Sequence, residues 1–491
     1  MNMYIVYTFM TNVCFVLKNT FTCVITCNFN CLICFFSKSG NKFLCLVMGF
    51  CVSGAFGITK FKKVFEFNEL DFDYSTDAKR QYDIDTKVFI PGVPAPIDMD
   101  VYYAPDKKHT TFVTIPRFQA GIPVTLGTII TSSTGKNIIK PYPSWKWHRD
   151  PEHCRRDRLV SVYRIKVDNC GRLWVLDTGR HLDKKVCDMQ ILAFDLATNQ
   201  LIHKYTIPDN LLEPRSILVT PIIDIRENCS DVFVYVADCQ TFSIIVYDVM
   251  NDRAWRASDK TMYPYPNYGT YKIQGEQFDL MDGVLGMDLS PYYAGQDRKL
   301  FYHAMSAPTE NWVLTSDLKH EDNFKHDPSA HPELFHTYKG QRQSQSAAEA
   351  IDRNGIAFFG QMTETTINCW NTASEYGPTN IDIVEYNPQT LQFASGIKVI
   401  DSPRGHQELW VLTSRFQKVA TGTISSNEIN YRIQAVRVED AVAGTKCKAI
   451  RNQPSGAGGY SGRYKAGSSG LITGGYGLAQ PNNVDKLYFT K

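Results

Sequence analysis

The stretch Arg172-Leu-Trp-Val-Leu-Asp-Thr-Gly-Arg180 is the unit from which the architecture follows. Its apolar centre predicts a short strand that ends at Asp177. A turn, Asp168-Asn169-Cys170-Gly171, precedes it, and further strands are predicted over Val160 to Val167 and over Gln190 to Asp195. Alternating β-branched and aromatic residues bounded by Asn, Asp and Gly are typical of paired antiparallel strands. The stretch therefore predicts one antiparallel sheet unit.

The same pattern occurs six times along the chain. Each copy centres on an aromatic residue, here called the anchor, and the anchors are Phe112, Trp174, Tyr235, Phe301, Phe358 and Trp410. Successive anchors are 62, 61, 66, 57 and 52 residues apart, a drifting period typical of propeller blades with variable loops. Most copies have a further predicted strand downstream, over Ile191–Asp195, Ile244–Asp248, Trp312–Thr315, Ile381–Tyr386 and Tyr431–Val438. Six units of roughly four strands predict an all-β fold, a six-bladed β-propeller. We expect Lys63 to Phe67 to close the ring by pairing with the C-terminal strands.

Composition limits the partners and divides the chain. The 491 residues carry a net charge of +2, so we expect no nucleic acid partner. We assign residues 56–450 to the propeller. Residues 451–491 are rich in Gly, Ser and Tyr and cannot bury enough apolar surface to offset their chain entropy, so they predict a disordered tail.

Residues 1–55 form an N-terminal extension with a signal-like segment. The first 36 residues are mostly apolar and hold five cysteines, and Cys31-Leu-Ile-Cys34 has a spacing seen in zinc sites. No His accompanies these cysteines, so we interpret them as part of an apolar run. Lys38 and Lys42 then precede the apolar residues 43–52 and the small residues 53–55, as in a secretory signal. Residues 1–40 are thus either an upstream translation extension or part of a membrane anchor. We favour the extension, which predicts a secreted, extracellular protein with no membrane association after signal removal.

Seven cysteines follow the signal-like segment, and secretion would place them in an oxidising compartment. Cys229 and Cys239 should not pair, because a predicted strand holds them apart at its two ends. From the predicted topology we expect three disulfides, which are Cys154–Cys187, Cys170–Cys229 and Cys369–Cys447. Cys239 is then left over. Asn228-Cys-Ser230 is a glycosylation sequon in a predicted hairpin.

If the six units are equivalent, every anchor strand runs in the same direction, and the residues after the anchors gather on one face. Loops on a rigid scaffold commonly carry binding residues. The post-anchor residues mix aromatic, amide, carboxylate and arginine side chains, which suits a small aromatic amine or catechol-derived ligand. The expected ligand-binding residues are Arg117, Phe118, Arg180, Gln361, Asn371, Ser414 and Phe416. The alternative is that Arg and Asp cap these loops while Phe packs between blades.

Catalytic motifs are weak. The chain has no Gly-x-Ser-x-Gly elbow, phosphate loop or His-Glu-x-x-His motif. Asp177 and Asp238 occupy equivalent positions in adjacent units and are candidates for an acid/base pair, or else cap backbone N–H groups. His320, His326, His331 and His336 lie in a polar stretch that we interpret as a solvated loop. We expect neither a metal ion nor a cofactor.

The motif Cys170-Gly-Arg-Leu-Trp-Val-Leu-Asp-Thr-Gly179 resembles the Yellow/major royal jelly protein family of insects. The resemblance extends over most of the chain after the signal-like segment. It includes Ile115 to Leu126, Gln345 to Ala350, Asn368-Cys-Trp-Asn371 and Leu409 to Phe416. The family fold that it implies is a six-bladed propeller.

The resemblance implies two kinds of function. Some Yellow proteins convert dopachrome during melanin formation, and related salivary proteins bind biogenic amines. In the amine binders an Asn and a Phe of the last-blade motif touch the ligand, and Ser414 and Phe416 match these positions, with Ser in place of Asn. One hypothesis is therefore a pigmentation protein that binds catechol or indole compounds or acts as a dopachrome isomerase (tautomerase). The alternative is a non-catalytic structural or ligand-binding protein of cuticle or eggshell.

Overall fold

The computed structural model describes residues 60–104, 109–155, 157–182 and 184–448, together with the backbone of five strands before residue 49. The chain divides into two compact units, Met1–Lys60 and Phe61–Lys491. The side chains of the predicted signal-like segment and of its cysteines lie outside the described residues, as does the predicted tail, 451–491. In the described part of the chain, no helix has both the length and the apolar character needed to cross a membrane.

The first unit contains a five-stranded antiparallel sheet whose strands pair in chain order. Its strands are β1 Ile5–Thr8, β2 Asn12–Leu17, β3 Thr20–Cys27, β4 Asn30–Ser39 and β5 Lys42–Met48.

The second unit is a six-bladed β-propeller, as predicted. Each blade is a four-stranded antiparallel sheet, and the sixth is completed by the first strand of the unit, β6. The strands are numbered along the chain. The first three blades consist of β7 Asp98–Tyr103, β8 His109–Thr114, β9 Leu126–Thr131 and β10 Asn137–Pro141; β11 Val162–Val167, β12 Arg172–Asp177, β15 Gln190–Asp195 and β16 Gln200–Thr206; and β17 Leu218–Ile225, β18 Val232–Asp238, β19 Ser243–Asp248 and β20 Arg253–Ser258. The last three consist of β23 Val284–Leu289, β24 Lys299–Ala304, β25 Asn311–Leu314 and β26 His336–Thr337; β27 Glu349–Ile351, β28 Ile356–Gln361, β29 Thr366–Asn371 and β30 Ile381–Tyr386; and β31 Ala394–Asp401, β32 Gln407–Thr413, β33 Tyr431–Arg437 and β6 Lys62–Phe67.

Two small hairpins and a few short helices decorate the blades. The hairpins are β13 Arg180–His181 with β14 Lys184–Lys185, and β21 Thr270–Ile273 with β22 Glu276–Asp279. The α-helices are α1 Asp77–Asp85, α2 Thr315–Lys319, α3 Phe416–Thr421 and α4 Val438–Ala441. Single 3₁₀ turns occur at Trp145–Trp147, Asp209–Leu211, Lys260–Met262, Pro266–Tyr268, Glu321–Asn323 and Pro332–Leu334.

The six anchors define the second strand of every blade. Each lies in β8, β12, β18, β24, β28 or β32, and all six side chains are buried. The prediction was wrong in the fifth blade, where residues 366–371 were interpreted as loop. They form β29, and Ile381–Tyr386 is the outermost strand rather than the third. The Asn residues at 368 and 371 lower the strand propensity of this stretch, but the buried Asn368 amide oxygen accepts a hydrogen bond from the Thr366 hydroxyl at 2.6 Å.

The first strands of the blades surround the axis, each in contact with the first strand of the next blade. Buried carboxylates join these neighbours. Asp98 and Asp100 on β7 accept hydrogen bonds from the backbone N–H groups of Ile165 and Val167 on β11, at 3.2 and 2.7 Å. Asp288 on β23 accepts one from the N–H group of Ile351 on β27 at 2.7 Å. Neighbouring blades belong to different sheets, so these backbone N–H groups have no partner strand to bond to. The carboxylates accept their hydrogen bonds instead.

The ring is closed as predicted. β6 pairs antiparallel with β33, with Phe67 opposite Tyr431 and Phe65 opposite Ile433. Phe67 is 7% exposed and belongs to an apolar cluster with Tyr431, Ile433 and Trp410.

Among the described residues three disulfides form, and they are the three pairs that the sequence predicts, Cys154–Cys187, Cys170–Cys229 and Cys369–Cys447. Cys239 has a free, buried thiol. Strand β18 separates Cys229 from Cys239, as expected. Asn228 is exposed in the turn before β18, and its glycosylation stays a prediction.

Replacement of Phe67 by Ala should weaken ring closure. Because it removes a buried ring from β6, the strand that joins the two ends of the propeller, we expect Phe67→Ala to lower the free energy of unfolding by about 3–5 kcal/mol. Lys63→Ala on the same strand is the matched control; its side chain is 63% exposed, and we expect a change below about 0.5 kcal/mol. Urea unfolding followed by circular dichroism measures both. Equal midpoints for the two variants would contradict a stabilising role for this closure.

Candidate functional site

The second strands all end on one face of the ring, here called the exit face. Contacts between neighbouring post-anchor loops confirm that these loops gather there. The backbone N–H of Leu182 donates to the carbonyl of Arg117 at 2.9 Å, and that of Gly283, in the segment that leads into β23 of the fourth blade, donates to the carbonyl of Cys239 in the post-anchor loop of the third blade at 2.8 Å. The ring of Phe118, after the first anchor, packs on that of Phe416, after the sixth. The exit face is therefore a continuous surface built from different blades.

Asp177 is the last residue of β12 and is completely buried. Its carboxylate accepts hydrogen bonds from the backbone N–H groups of Val160 at 2.9 Å, Ser161 at 2.8 Å and Gly179 at 3.1 Å. Burial raises the pKa of Asp177, and the hydrogen bonds from Ser161 and Val160 oppose that shift. The carboxylate thus holds the segment that enters the first strand of its own blade.

The equivalent residues of two other blades do the same. Asp238, at the end of β18, accepts from the N–H of Ile217 at 3.0 Å and from the hydroxyl of Thr241 at 2.6 Å. Gln361, at the end of β28, accepts from the N–H of Gln343 at 2.8 Å. A hydrogen-bond acceptor at the end of the second strand is therefore a repeated structural device.

This geometry decides between the two roles predicted for the aspartates. Asp177 and Asp238 cap backbone N–H groups, and the structure does not place them as an acid/base pair. Gln361 likewise points its amide oxygen into the scaffold rather than toward a ligand. Residue type alone does not separate these roles, because a carboxylate is suited to both.

Arg117 is also part of the scaffold, contrary to its predicted role in ligand binding. It is 1% exposed, and its five N–H donors are matched by five backbone carbonyls. The acceptors are Ile122, Pro123, His148, Leu159 and Val160, at 2.6 to 3.0 Å. Desolvation lowers the pKa of the guanidinium to about 10. This side chain binds three loop segments together and has no donor left for a ligand.

The remaining predicted residues lie in different places. Asn371 is opposite Ile356, at the start of the second strand, and thus at the other end of its blade from Gln361. Strand β29 therefore carries Asn371 away from the exit face, where the predicted ligand site was placed. Arg180 lies half-buried on β13, 3.5 Å from the carbonyl oxygen of Pro214. Ser414 lies on the exit face, fully buried, and its hydroxyl has no hydrogen-bond partner among the described residues.

Phe118 and Phe416 are brought together, and two further rings join them. Phe416 lies 5.9 Å from Phe118, 5.1 Å from Phe393 and 6.1 Å from Phe278, measured between ring centroids. These four residues are the aromatic cluster. Three of the rings are only partly buried, and Phe393 is buried. The cluster has the edge-to-face and tilted geometry that also suits stacking of a flat aromatic ligand.

The sequence analysis missed Phe278 and Phe393. Phe278 is on the β21–β22 hairpin, which is inserted between the third and fourth blades and turns at Gln274-Gly275. Apolar and polar residues alternate on both sides of this turn, a pattern that predicts a hairpin. Phe393 precedes β31 with a positive φ of 52°, and no sequence pattern distinguishes it from a packing residue.

The hairpin lies over the sixth-blade loop. The hydroxyl groups of Thr421 and Thr423 donate to the carboxylate of Glu276 at 2.8 and 2.6 Å. The ring of Tyr271 stacks on Phe278 at 4.9 Å, and its hydroxyl is 2.7 Å from the Ser306 hydroxyl oxygen. The hairpin therefore connects the aromatic cluster to the post-anchor loop of the fourth blade.

Ser306 also contacts a titratable residue, Asp282. The backbone N–H of Asp282 donates to the Ser306 hydroxyl oxygen at 3.2 Å, and the amide of Gln240 donates to the Asp282 carboxylate. Asp282 is partly exposed. Desolvation raises the pKa of its carboxyl to about 6, although the hydrogen bond from Gln240 opposes the shift. A carboxylate with a pKa near neutrality suits general acid/base work.

The histidine-rich stretch is mostly exposed, as predicted. His320, His326 and His336 are exposed, and His331 is partly exposed and contacts Glu333 at 2.8 Å. The ring of His336 stacks on Trp312 at 4.1 Å. These contacts are those of a surface loop.

The comparisons with known proteins agree with the fold and the motifs. The chain matches the family model described as Major royal jelly protein over residues 160–447. It is 32% identical over 403 residues to Major royal jelly protein 9 of Apis mellifera, covering 79% of this chain and 90% of that protein. It is 30% identical over 394 residues to Dopaminechrome tautomerase of Drosophila melanogaster (78% and 83%), and 27% identical over 413 residues to Protein yellow of Drosophila yakuba (82% and 74%). The chain therefore belongs to the Yellow/major royal jelly protein family.

Proposed function

We propose that this protein binds a small catechol- or indole-type compound at the aromatic cluster and catalyses the tautomerisation of an aminochrome during pigment formation. The observation that carries the proposal is the convergence of four Phe rings on the exit face, linked through Tyr271 and Ser306 to Asp282. The similarity to Dopaminechrome tautomerase and to Protein yellow supports a reaction of this class.

The reaction needs only proton transfers. Two protons leave the adjacent saturated ring carbons of the indoline quinone in turn, the electron pairs of the two C–H bonds enter the ring system, and each of the two quinone oxygens gains a proton. The product is a dihydroxyindole with the same atoms as the substrate, so no oxidant or reductant takes part. Asp282 accepts a carbon-bound proton in this scheme, and its elevated pKa places it near the operating pH.

Ser414 supplies a second polar element of the proposed site. It sits two residues before Phe416, and its buried hydroxyl has no partner in the described part of the chain. An unpaired buried hydroxyl costs about 1–3 kcal/mol, so a ligand amine or hydroxyl that pairs with it would be stabilised.

We also propose that the protein is secreted. Three disulfides within the propeller are typical of an oxidising, extracellular compartment. The exposed Asn228 sequon is compatible with passage through the secretory pathway.

Phe416→Leu tests ligand binding. Loss of an aromatic contact worth about 0.5–1.5 kcal/mol should weaken binding of dopamine or serotonin by about 2-fold to 10-fold, measured by isothermal titration calorimetry. Tyr386→Leu is the matched control, because Tyr386 is 63% exposed on the outermost strand of the fifth blade. If both variants bind these amines as tightly as the unmodified protein does, the aromatic cluster is not the binding site.

Asp282→Asn tests catalysis. We expect the rate of dopaminechrome decay, followed by absorbance, to fall by about 100-fold or more, since the amide cannot accept the proton. The unmodified protein should lose activity as the pH falls through about 6, because protonation of a carboxyl with a raised pKa removes the base. Asp279→Asn, an exposed change at the end of the β21–β22 hairpin, three residues before Asp282, is the control.

Three results separate the alternatives. An unmodified protein that is no faster than buffer removes the enzymatic role, and amine binding without turnover then favours the non-catalytic binding role in cuticle or eggshell. Neither binding nor turnover favours a structural role. Full activity of Asp282→Asn would place the base elsewhere.

A further inference from the structure

Three metal-ligating side chains from separate parts of the chain meet inside the propeller. His303 is on β24, Glu310 is in the loop after β24, and Glu349 is the first residue of β27. His303 Nδ1 is 2.9 Å from Glu310 Oε2 and 3.0 Å from Glu349 Oε2. All three side chains are at most 2% exposed. We call this set the His-Glu-Glu cluster.

The cluster is short of hydrogen bonds. Glu310 Oε1, both carboxylate oxygens of Glu349, and His303 Nε2 are buried and lack a hydrogen-bond partner among the described residues. Buried polar atoms in folded proteins almost always have a partner, because each unpaired one costs about 1–3 kcal/mol. The three unpaired carboxylate oxygens therefore indicate that a component of the site is still to be added.

The cluster is also short of positive charge. Of the lysines and arginines in the described ranges, Arg342 alone brings a nitrogen within 4.0 Å of either carboxylate, at 3.6 Å from Glu310 Oε2. Its guanidinium is engaged elsewhere. It donates to the backbone carbonyls of Ala304, Ala307, Thr309 and Ser344. Two buried carboxylates therefore share one cationic side chain within 4.0 Å.

The spacing suits one metal ion. Two ligand atoms that are each about 2.0–2.2 Å from a zinc ion lie about 3 Å apart, which is the separation of His303 Nδ1 from each carboxylate oxygen. A neutral imidazole nitrogen and each carboxylate oxygen have a lone pair to offer a metal ion. One imidazole and two carboxylates suit zinc or manganese, with a coordination position left open.

Gly286 makes room for the histidine. A Cβ atom added at Gly286 would lie 2.2 Å from His303 Nε2, closer than any side chain allows. The first strand of the fourth blade thus has no side chain where the imidazole packs against it. The sequence analysis expected no metal site, because residues 303, 310 and 349 share no motif and only the fold brings them together.

We propose that the His-Glu-Glu cluster binds one divalent transition-metal ion, of which Zn²⁺ is the probe to use. The site is close to the aromatic cluster. Arg164 donates to the carbonyls of Ala347, two residues before Glu349, and of Ser395, two residues after Phe393, at 2.9 and 2.7 Å. The inference does not depend on the proposed tautomerase activity, since metal binding is measured without substrate.

The rival explanation is that protons take the place of the metal. Burial raises the pKa of Glu310 to about 7 and, together with the repulsion from Glu310, raises that of Glu349 to about 8. A protonated pair of glutamates would remove the charge deficit without any metal ion. The experiment has to separate these two cases.

The test is calorimetric titration of Zn²⁺ into the full chain after treatment with a chelator, at pH 8. We expect Glu349→Gln to bind one equivalent less than the unmodified protein, or to bind that equivalent about 100-fold more weakly. Glu333→Gln is the matched control, because Glu333 pairs with His331 at the surface and its loss should leave binding unchanged. The cysteines of residues 14–51 are the same in all three proteins, so the difference isolates the cluster.

X-ray absorption of the zinc-loaded unmodified protein provides a test that needs no variant. One zinc ion with only nitrogen and oxygen neighbours supports the site, and a shell that contains only sulfur neighbours overturns it. Equal zinc binding by the unmodified protein and Glu349→Gln also overturns it. The proposal is also overturned if the unmodified protein binds no zinc. In that case, a Glu349→Gln variant that is more stable than the unmodified protein would identify the pair of protonated glutamates.

Discussion

Antiparallel pairing of β6 with β33 joins residues 62–67 to residues 431–437 and turns a row of blades into a ring. A closed ring leaves each blade packed between two others, whereas an open one would expose two apolar sheet faces. Closure also fixes where the loops point. With six blades held around one axis, the second strand of each blade must end on the exit face. The loops that follow these strands therefore share that surface.

Much of the polar chemistry on the exit face holds the loops in place. Asp177, Asp238 and Gln361 cap the segments that enter the first strands. Arg117 and Arg342 are buried guanidinium groups that each bind several backbone carbonyls of neighbouring loops. Irregular backbone packed at the end of a propeller has many N–H and C=O groups outside any ladder, and these side chains satisfy them. The groups left for function are those that the scaffold does not use.

Those remaining groups make up the two sites that we propose. One is the aromatic cluster with Asp282, which combines partly exposed rings with a carboxyl that titrates near neutrality. The other is the His-Glu-Glu cluster, which is buried and lacks hydrogen-bond partners for four of its polar atoms. Arg164 lies between them and bonds to the chain on both sides.

The sequence alone determined the ring. The six aromatic anchors, their drifting period, the closing strand and the three disulfides are all local patterns or consequences of repetition, and each is present in the structure. The roles of the polar residues were decided only by the tertiary structure. Asp177 and Asp282 have the same side chain, yet Asp177 is fully buried and its carboxylate is saturated by backbone N–H groups, while Asp282 is partly exposed and its carboxylate accepts from the side-chain amide of Gln240. The hydrogen-bond partners of each carboxylate come from segments distant in sequence, and the burial of each carboxylate sets the energy of its charge. Residue type and spacing encode neither the partners nor the burial.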